Sequence, residues 1–194
     1  MREKRPIEIN QQAEIVVLLS GGIDSAALLH FFQSQNIPIS AMFIDYNQSA
    51  AHHERKASSQ VAQRLGIPWS ELKLVGGTTK ASGEVSARNI SLLSLAAMEA
   101  PASVWGIALG IHAGTAYPDC SDQFVRAAQI VLSMQSRHVQ VLAPFIAWQK
   151  RDVIAFFLES RIPLDFTYSC ESGTIPVCGS CLSCKDREGL NDRA

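Results

Sequence analysis

The sequence lacks an excess of charge, a long apolar run and a secretion signal. Its 17 Lys and Arg residues against 18 Asp and Glu residues leave a net charge of −1, which does not favour electrostatic binding to nucleic acid or membranes. We therefore expect a small-molecule substrate. The longest apolar stretch, residues 102–113, is shorter than the roughly 20 residues that span a bilayer. No cleavable apolar segment follows the charged N-terminus, which predicts a cytoplasmic protein with no membrane attachment.

Hydrophobic residues make up 47% of the 194 positions and charged residues 18%, which predicts one folded domain with a sizeable core. We expect residues 1–13 to be a polar lead-in, residues 14–165 to be the main domain and residues 166–194 to be a small tail. Repeats and low-complexity segments are absent from the sequence.

Short apolar runs rich in β-branched residues alternate with segments of helical periodicity. This alternation predicts an α/β fold with a doubly wound, mainly parallel sheet, whose ligands bind at the carboxyl ends of the strands. The predicted strands are residues 14–19, 39–44, 69–75, 103–109 and 139–143. The predicted helices are residues 24–35, 53–65, 86–100, 121–135 and 150–160.

A glycine-containing hexapeptide, Ser20-Gly21-Gly22-Ile23-Asp24-Ser25, lies between the first strand and the first helix. Adjacent glycines let the backbone turn tightly, two serines add hydroxyl donors, and the helix N-terminus adds N–H groups with positive dipole character. The sequence therefore predicts an anion pocket of pyrophosphate size. It is neither a Walker loop nor a dinucleotide-binding glycine loop. Lys150, at the start of the last predicted helix, either neutralises phosphate charge there or is a solvated lysine.

Four of the five cysteines fall in the tail, at positions 170, 178, 181 and 184. A cluster of four thiols in a polar segment predicts a metal site, and four thiolates suit one tetrahedral Zn²⁺ with no open position for catalysis. We expect Cys170, Cys178, Cys181 and Cys184 to be its ligands. The tail has few apolar residues, so zinc would drive its folding.

The loop of residues 110–120 follows a predicted strand, where a substrate pocket belongs. Asp119 could accept hydrogen bonds from a purine-like N–H edge, bind Mg²⁺, or cap the next helix, a role that Asp122 could also fill. Cys120 is interpreted as a packing or pocket thiol.

The hexapeptide resembles the PP-loop of the N-type ATP pyrophosphatases. The whole sequence resembles the 7-cyano-7-deazaguanine synthase family, because it combines this PP-loop with Tyr117-Pro118-Asp119-Cys120 and the four-cysteine tail. Further matches are Asp45-Tyr46, Gln48, Arg88-Asn89 and Lys150. The resemblance, which runs from about residue 15 to residue 191, implies a PP-loop fold that cleaves ATP between its α- and β-phosphates. It also implies a ligase that converts 7-carboxy-7-deazaguanine, ammonia and ATP into the nitrile, with release of AMP and pyrophosphate, for queuosine-type pathways.

The resemblance also implies roles for individual residues. Ser20, Asp24 and Lys150 would be catalytic, with Asp24 helping to organise Mg²⁺. ATP would contact the whole loop of residues 20–25 together with Asp45 and Arg88. The deazapurine would contact Arg88, Asn89, Tyr117 and Asp119. The family is usually a homodimer, which we expect here as well.

Departures from the family pattern concentrate in the substrate half. The loop before Tyr117 reads His112-Ala113-Gly114-Thr115-Ala116 and lacks the usual acidic residues, Ser121 replaces a common arginine, and residues 75–85 are shorter than the usual lid. These differences keep a second hypothesis open: a divergent paralogue that adenylates a related deazaguanine and transfers it to an amine of a protein or nucleic acid. Two further alternatives are a tRNA-thiolation enzyme, which the net charge and the clustered cysteines oppose, and a non-catalytic, zinc-bearing nucleotide-binding scaffold.

Overall fold

A computed structural model describes residues 14–80, 83–115 and 117–191, without the side chains of residues 189–191. The predicted lead-in, residues 1–13, lies outside this range. The strands are β1 (Glu14–Leu18), β2 (Ile39–Asp45), β3 (Trp69–Lys73), β4 (Val104–Ala108) and β5 (Gln140–Leu142). The helices are α1 (Ile23–Gln33), α2 (Ala51–Leu65), α3 (Arg88–Glu99), α4 (Asp122–Ser133), α5 (Lys150–Glu159) and α6 (Leu182–Asn191), with short 3-10 turns at Pro118–Cys120 and Leu164–Phe166.

The five strands form one parallel sheet in the order β3-β2-β1-β4-β5. Pairing places Val17 beside Ala41 of β2 on one side and beside Ala108 of β4 on the other. The chain leaves β1 towards one edge and later returns to its other side, so the strand order reverses between β1 and β4. This reversal opens a crevice at the carboxyl ends of the strands, where α/β proteins bind ligands.

Alternate residues of β1 divide the core into two layers, as expected for a strand whose successive side chains point to opposite faces. Ile15 and Val17 pack with α1, α2 and α5, whereas Val16 and Leu18 pack with α3 and α4. All four side chains are buried because helices cover both faces of the sheet. The doubly wound parallel architecture predicted from the sequence is confirmed.

The predicted strands and helices differ from the observed ones by at most a couple of residues at each end, with one omission. Residues 150–160 are not the last helix, because α6 follows in the tail. Contacts of individual polar and thiol groups hold α6 in place: Arg187 donates to Thr167 Oγ1 at 2.8 Å and to the Leu164 carbonyl at 2.7 Å, and Cys184 is buried. A helix held in this way lacks the apolar stripe by which the other helices are recognised.

None of the helices in the described residues has the length and apolar composition needed to cross a bilayer.

Candidate active site

The predicted phosphate loop joins the carboxyl end of β1 to the N-terminus of α1. Gly22 occupies the capping position with φ −80° and ψ 168°, and no side chain caps the helix there. The first N–H groups of a helix have no partner within the helix, so these donors are available to an anion. The Ser20 and Ser25 hydroxyls are 3.1 Å apart beside them, and Ser25 also donates to the Gly22 carbonyl at 3.1 Å. The loop therefore has the donors that a phosphate group requires.

Gly21 holds this loop against α2. Its φ of +83° lies in the left-handed region that favours glycine, and a Cβ there would be 2.7 Å from the Glu54 carbonyl oxygen and 2.7 Å from the Ser58 nitrogen. Its own carbonyl accepts a hydrogen bond from the Tyr168 N–H at 2.9 Å. The loop is thus packed between α2 and the tail, and only glycine fits at this position.

Lys150, the first residue of α5, lies beside the phosphate loop. Its Nζ is 2.7 and 2.8 Å from the two carboxylate oxygens of Asp24 and 3.6 Å from Asp186 Oδ2. His112 Nε2 approaches the same Asp24 carboxylate at 3.8 Å. The ammonium group is thus ion-paired, and it lies next to the donors of the loop. Its role in neutralising phosphate charge stays a prediction.

A cavity of about 460 Å³ opens beside the loop, at the carboxyl ends of the strands. The phosphate loop and Lys150 line one part of it. Residues after β2, the start of α3 and the loop after β4 line the rest, including Tyr46, Arg88, Asn89 and Tyr117. The cavity therefore brings together predicted ATP-binding and predicted substrate-binding residues that are distant in sequence.

Two residues of the β2–α2 connection, Tyr46 and Gln48, form a hydrogen-bonded group with Glu54 of α2 in the cavity wall. Gln48 Nε2 donates to Glu54 Oε2 at 2.7 Å, and Gln48 Oε1 accepts from the Tyr46 N–H at 2.9 Å. Burial raises the pKa of the Glu54 carboxyl, and burial together with the nearby Glu54 charge raises the pKa of the Tyr46 phenol. Glu54 was missed by the sequence reasoning, although its place in the first turn of the helix after β2 is a signal that could have found it.

Two predicted site carboxylates do not line the cavity. Asp45 accepts from the Asn47 N–H at 2.9 Å and lies 3.5 Å from Lys73 Nζ on the neighbouring strand. Asp119 Oδ2 accepts from the Asn89 N–H at 3.4 Å, at the N-terminus of α3. The suggested capping of the following helix by Asp119 or Asp122 is corrected as well, because the Ser121 hydroxyl accepts from the Phe124 N–H and caps α4.

Asn89 connects α3 to the turn that contains Tyr117 and Cys120. Its Nδ2 donates to the Asp119 carbonyl at 2.9 Å, and its Oδ1 accepts from Arg88 Nε at 3.2 Å. Burial, followed by the nearby Asp119 charge, raises the pKa of the Cys120 thiol to about 11. Cys120 is therefore a neutral pocket thiol at neutral pH, as the sequence suggested.

The four tail cysteines lie together, with their sulfur atoms all within 4.8 Å of one another. The Cys181 N–H donates to Cys178 Sγ at 3.4 Å, and the Cys178 N–H donates to Cys170 Sγ at 3.4 Å. Backbone N–H groups, that of Cys181 foremost, lower the pKa of Cys178 to about 5. A set of four thiols with one already stabilised as a thiolate could hold a metal ion.

The tail also forms part of the cavity wall, which the sequence did not indicate. Glu171, next to Cys170, accepts from the Gly83 N–H at 3.1 Å and from the Ser183 hydroxyl at 2.9 Å. Tyr168 lines the cavity and stacks on His53 of α2, with ring centroids 4.8 Å apart. Asp186 reaches Lys150 from α6. The cysteine cluster is therefore part of the same structural unit as the phosphate loop.

Comparison with known proteins gives consistent results. A family model described as "Queuosine biosynthesis protein QueC" matches residues 14–82 and 74–192. The 7-cyano-7-deazaguanine synthase of Persephonella marina is 31% identical over 92% of this chain and 92% of its own length, and that of Aquifex aeolicus is 32% identical over 90% and 94%.

Among solved structures, the U34-tRNA thiolase NcsA from Methanococcus maripaludis, solved with its [4Fe-4S] cluster, has a similar fold. The TM-score is 0.54 at 17% sequence identity, and the match covers 95% of this chain and 66% of that one. At this identity the likeness concerns the fold alone, and it agrees with the fold class predicted from the sequence.

Proposed function

Because the chain belongs to the family of queuosine biosynthesis protein QueC, we propose that it converts 7-carboxy-7-deazaguanine, ammonia and ATP into 7-cyano-7-deazaguanine. The observation that carries the mechanism is the position of Lys150 Nζ, 2.7 Å from Asp24 Oδ1 at the N-terminus of α1. A cation, uncapped helix N–H groups and two hydroxyls meet there at the edge of a cavity large enough for further ligand groups.

The substrate carboxylate requires activation because oxide is a poor leaving group. Its oxygen attacks the α-phosphorus of ATP, the bond to the β-phosphate breaks, and pyrophosphate leaves. Ammonia then attacks the acyl carbon and AMP departs, which gives the amide after loss of a proton. A second ATP activates the amide oxygen in the same way, and departure of AMP with loss of the remaining N–H protons forms the nitrile.

The protein's part in both activations is alignment and charge stabilisation. The loop of residues 20–25 and Lys150 are suited to hold the β- and γ-phosphates, since donors and a cation converge there. Arg88 and Asn89, at the start of α3, and Tyr117 are suited to hold the deazapurine, since they line the same cavity. This arrangement requires no covalent enzyme intermediate.

Mg²⁺ fits beside the phosphate loop, where the Asp24 carboxylate offers the oxygen ligands that this ion prefers. When bound with ATP it would supply positive charge that offsets the phosphate charge. Asp24 would hold this ion, and Lys150, whose Nζ contacts both Asp24 oxygens, would supply a second positive charge next to the phosphates.

Zn²⁺ fits the tail cluster, because four thiols within 4.8 Å match the tetrahedral four-sulfur sites of structural zinc. Cys170, Cys178, Cys181 and Cys184 would hold it. The ion would supply folding energy to the tail, and hence to the cavity wall that Glu171 and Tyr168 form.

Thiol chemistry is disfavoured as an alternative function. The cavity-lining cysteine is Cys120, whose pKa is raised to about 11, so it is protonated and weakly nucleophilic at neutral pH. The remaining cysteines are grouped in the tail cluster. This distribution supports the ligase over a sulfur-transferring enzyme.

The test incubates the purified protein with ATP, Mg²⁺ and 7-carboxy-7-deazaguanine, with and without ammonium, and follows the products by mass spectrometry. We expect AMP, pyrophosphate and the nitrile, with twice as much AMP as nitrile and no nitrile when ammonium is omitted. AMP without nitrile in the presence of ammonium would instead favour a paralogue that passes the adenylated acid to another amine. Absence of AMP under all conditions would contradict the ligase.

A further inference from the structure

Among the described residues that line the cavity, one partly buried carboxylate has an oxygen that no hydrogen bond uses. Both oxygens of Asp24 contact Lys150, and both oxygens of Glu171 accept hydrogen bonds from Gly83 and Ser183. Asp186 is on the exposed helix α6 with 46% of its side chain open to solvent. Glu54 differs from all three, because Gln48 binds its Oε2 and no described residue donates a hydrogen bond to its Oε1.

Glu54 is also held in place. Gln48 Oε1 accepts from the Tyr46 N–H at 2.9 Å, which orients the amide so that its Nε2 points to Glu54 at 2.7 Å. The carboxylate is part of the cavity lining, and burial raises its pKa. A partly buried carboxylate that is oriented by a neighbouring amide and lines a ligand cavity is suited to accept hydrogen bonds from that ligand.

The position of Glu54 relative to β1 indicates which ligand it faces. The β2–α2 connection lies on one side of the phosphate loop, because β2 is on one side of β1, whereas Lys150 and His112 follow β5 and β4 on the other side. Arg88, which the resemblance assigns to both ATP and the deazapurine, is close enough to lower by its charge the pKa of Glu54, of Tyr46 and of Tyr117, a residue predicted to contact the deazapurine alone. Glu54 therefore shares its side of the cavity with Arg88.

We propose that the Glu54 carboxylate recognises the N1–H and 2-amino groups of the deazaguanine ring. This inference rests on the proposed function. A guanine-type ring presents these two donors side by side, and a carboxylate offers two acceptor oxygens at matching separation. Each carboxylate oxygen can accept more than one hydrogen bond, so Gln48 can remain bound to Oε2. Glu54 thus supplies the acceptor that the loop of residues 112–116, with no acidic side chain, does not supply.

The experiment compares the wild-type chain with Glu54→Gln, using two ligands: 7-carboxy-7-deazaguanine and its analogue without the 2-amino group. Glutamine keeps the size of the side chain but replaces one acceptor with a donor. Glu84→Gln is the matched control, since it makes the same change at an exposed carboxylate that does not line the cavity. Calorimetric Kd values, KM values for the acid and for ATP, and melting temperatures are measured for each variant.

In the wild type we expect the ligand with the 2-amino group to bind at least about 100-fold more tightly than the analogue, because the analogue fills the cavity and leaves a Glu54 oxygen without a donor. Glu54→Gln should raise Kd and KM for the acid by at least about 100-fold, reduce the preference for the 2-amino group to within about 5-fold, and change the KM for ATP by less than about 3-fold. Glu84→Gln should resemble the wild type. Glu54→Asp, which keeps the charge but withdraws it by one methylene, should give an intermediate loss and replaces Glu54→Gln if that variant does not fold.

The inference is overturned if the Glu54 variants keep the preference for the 2-amino group, or if they raise the KM for ATP and leave the acid unaffected. Failure of the proposed function is a separate result, since it would appear as a wild-type chain that makes no AMP from the acid. In that case the calorimetric comparison of the two ligands still decides the role of Glu54, and absence of any preference in the wild type contradicts it.

Discussion

Replacement of Gly21 by alanine tests how closely the phosphate loop packs against α2. The added Cβ would be 2.7 Å from the Glu54 carbonyl oxygen, 2.7 Å from the Ser58 nitrogen and 2.8 Å from Ala57 Cβ. Two of these atoms belong to the backbone of a helix and cannot rotate away. Gly22 provides the matched control, because its φ of −80° suits alanine and the nearest atom to its added Cβ, Ser20 Oγ, is 3.5 Å away.

The expected loss of stability in Gly21→Ala is the sum of two free-energy penalties. A non-glycine residue in the left-handed region costs about 1–2 kcal/mol, and forcing a methyl group into a packed site costs about 1–3 kcal/mol. We expect Gly21→Ala to lower the free energy of unfolding by about 3 kcal/mol, which corresponds to a fall in Tm of about 6–12 °C for a chain of this size. Gly22→Ala should change the free energy of unfolding by no more than about 0.5 kcal/mol.

The Tm values of the wild type, Gly21→Ala and Gly22→Ala are measured by circular dichroism, in the same buffer and at the same protein concentration. Below its Tm, Gly21→Ala should also bind ATP more weakly than the wild type, because the loop amides must move away from α2 to make room. If Gly21→Ala melts within about 1 °C of the wild type, or if Gly22→Ala loses as much stability, the loop does not pack against α2 as described.

Three further predictions concern the ion pair, the tail and the pocket thiol. Lys150→Met removes the cation at the phosphate loop and should lower kcat for AMP formation by at least about 100-fold; an unchanged rate would exclude Lys150 from phosphate stabilisation. Elemental analysis of the purified chain should find zinc in a one-to-one ratio and Cys184→Ser should lose it, whereas iron in its place would contradict the zinc assignment. With the tail metal bound, Cys120 should react slowly with iodoacetamide at pH 8, because a thiol pKa of about 11 leaves about 0.1% thiolate. The labelling rate should rise about tenfold per pH unit until the pH reaches the pKa. Fast labelling at pH 8 would contradict the burial of this thiol.

Sequence periodicity was sufficient to predict most of the fold, because the apolar faces of the helices and strands are what the core buries. Residues 121–135 illustrate this, since their helical spacing of apolar residues is confirmed in α4 (Asp122–Ser133) by the burial of Ala128 and Leu132. Helix α6 could not be found in this way. It is attached through Arg187 and Cys184, and a hydrogen bond to a distant carbonyl leaves no periodic trace in the sequence.

The residues of the candidate site also differ in whether a local sequence pattern could identify them. The loop of residues 20–25 and the four cysteines are each contiguous or nearly so in sequence, and their chemistry could be inferred from spacing alone. Glu171 enters the cavity only through the folding of distant segments, whereas Glu54 could have been found from its place in the first turn of the helix that follows β2. Asp45 is a residue that the sequence assigned to the site but that does not line the cavity. Its carboxylate instead contacts Lys73 on the neighbouring strand, and only the pairing of β2 with β3 creates this contact.

The tail and the phosphate loop are distant in sequence but contact each other directly and share Lys150 as a partner. The Tyr168 N–H donates to the carbonyl of Gly21, and Asp186 approaches the same Lys150 that Asp24 binds. Cys170, Cys181 and Cys184 lie within two residues of Tyr168, Glu171, Ser183 or Asp186, so a bound metal would act on the cavity wall through very short stretches of chain. We therefore expect a metal held by the four cysteines to support the site through the fold, because the cysteines lie in the same short segments of chain as the tail residues that line the cavity.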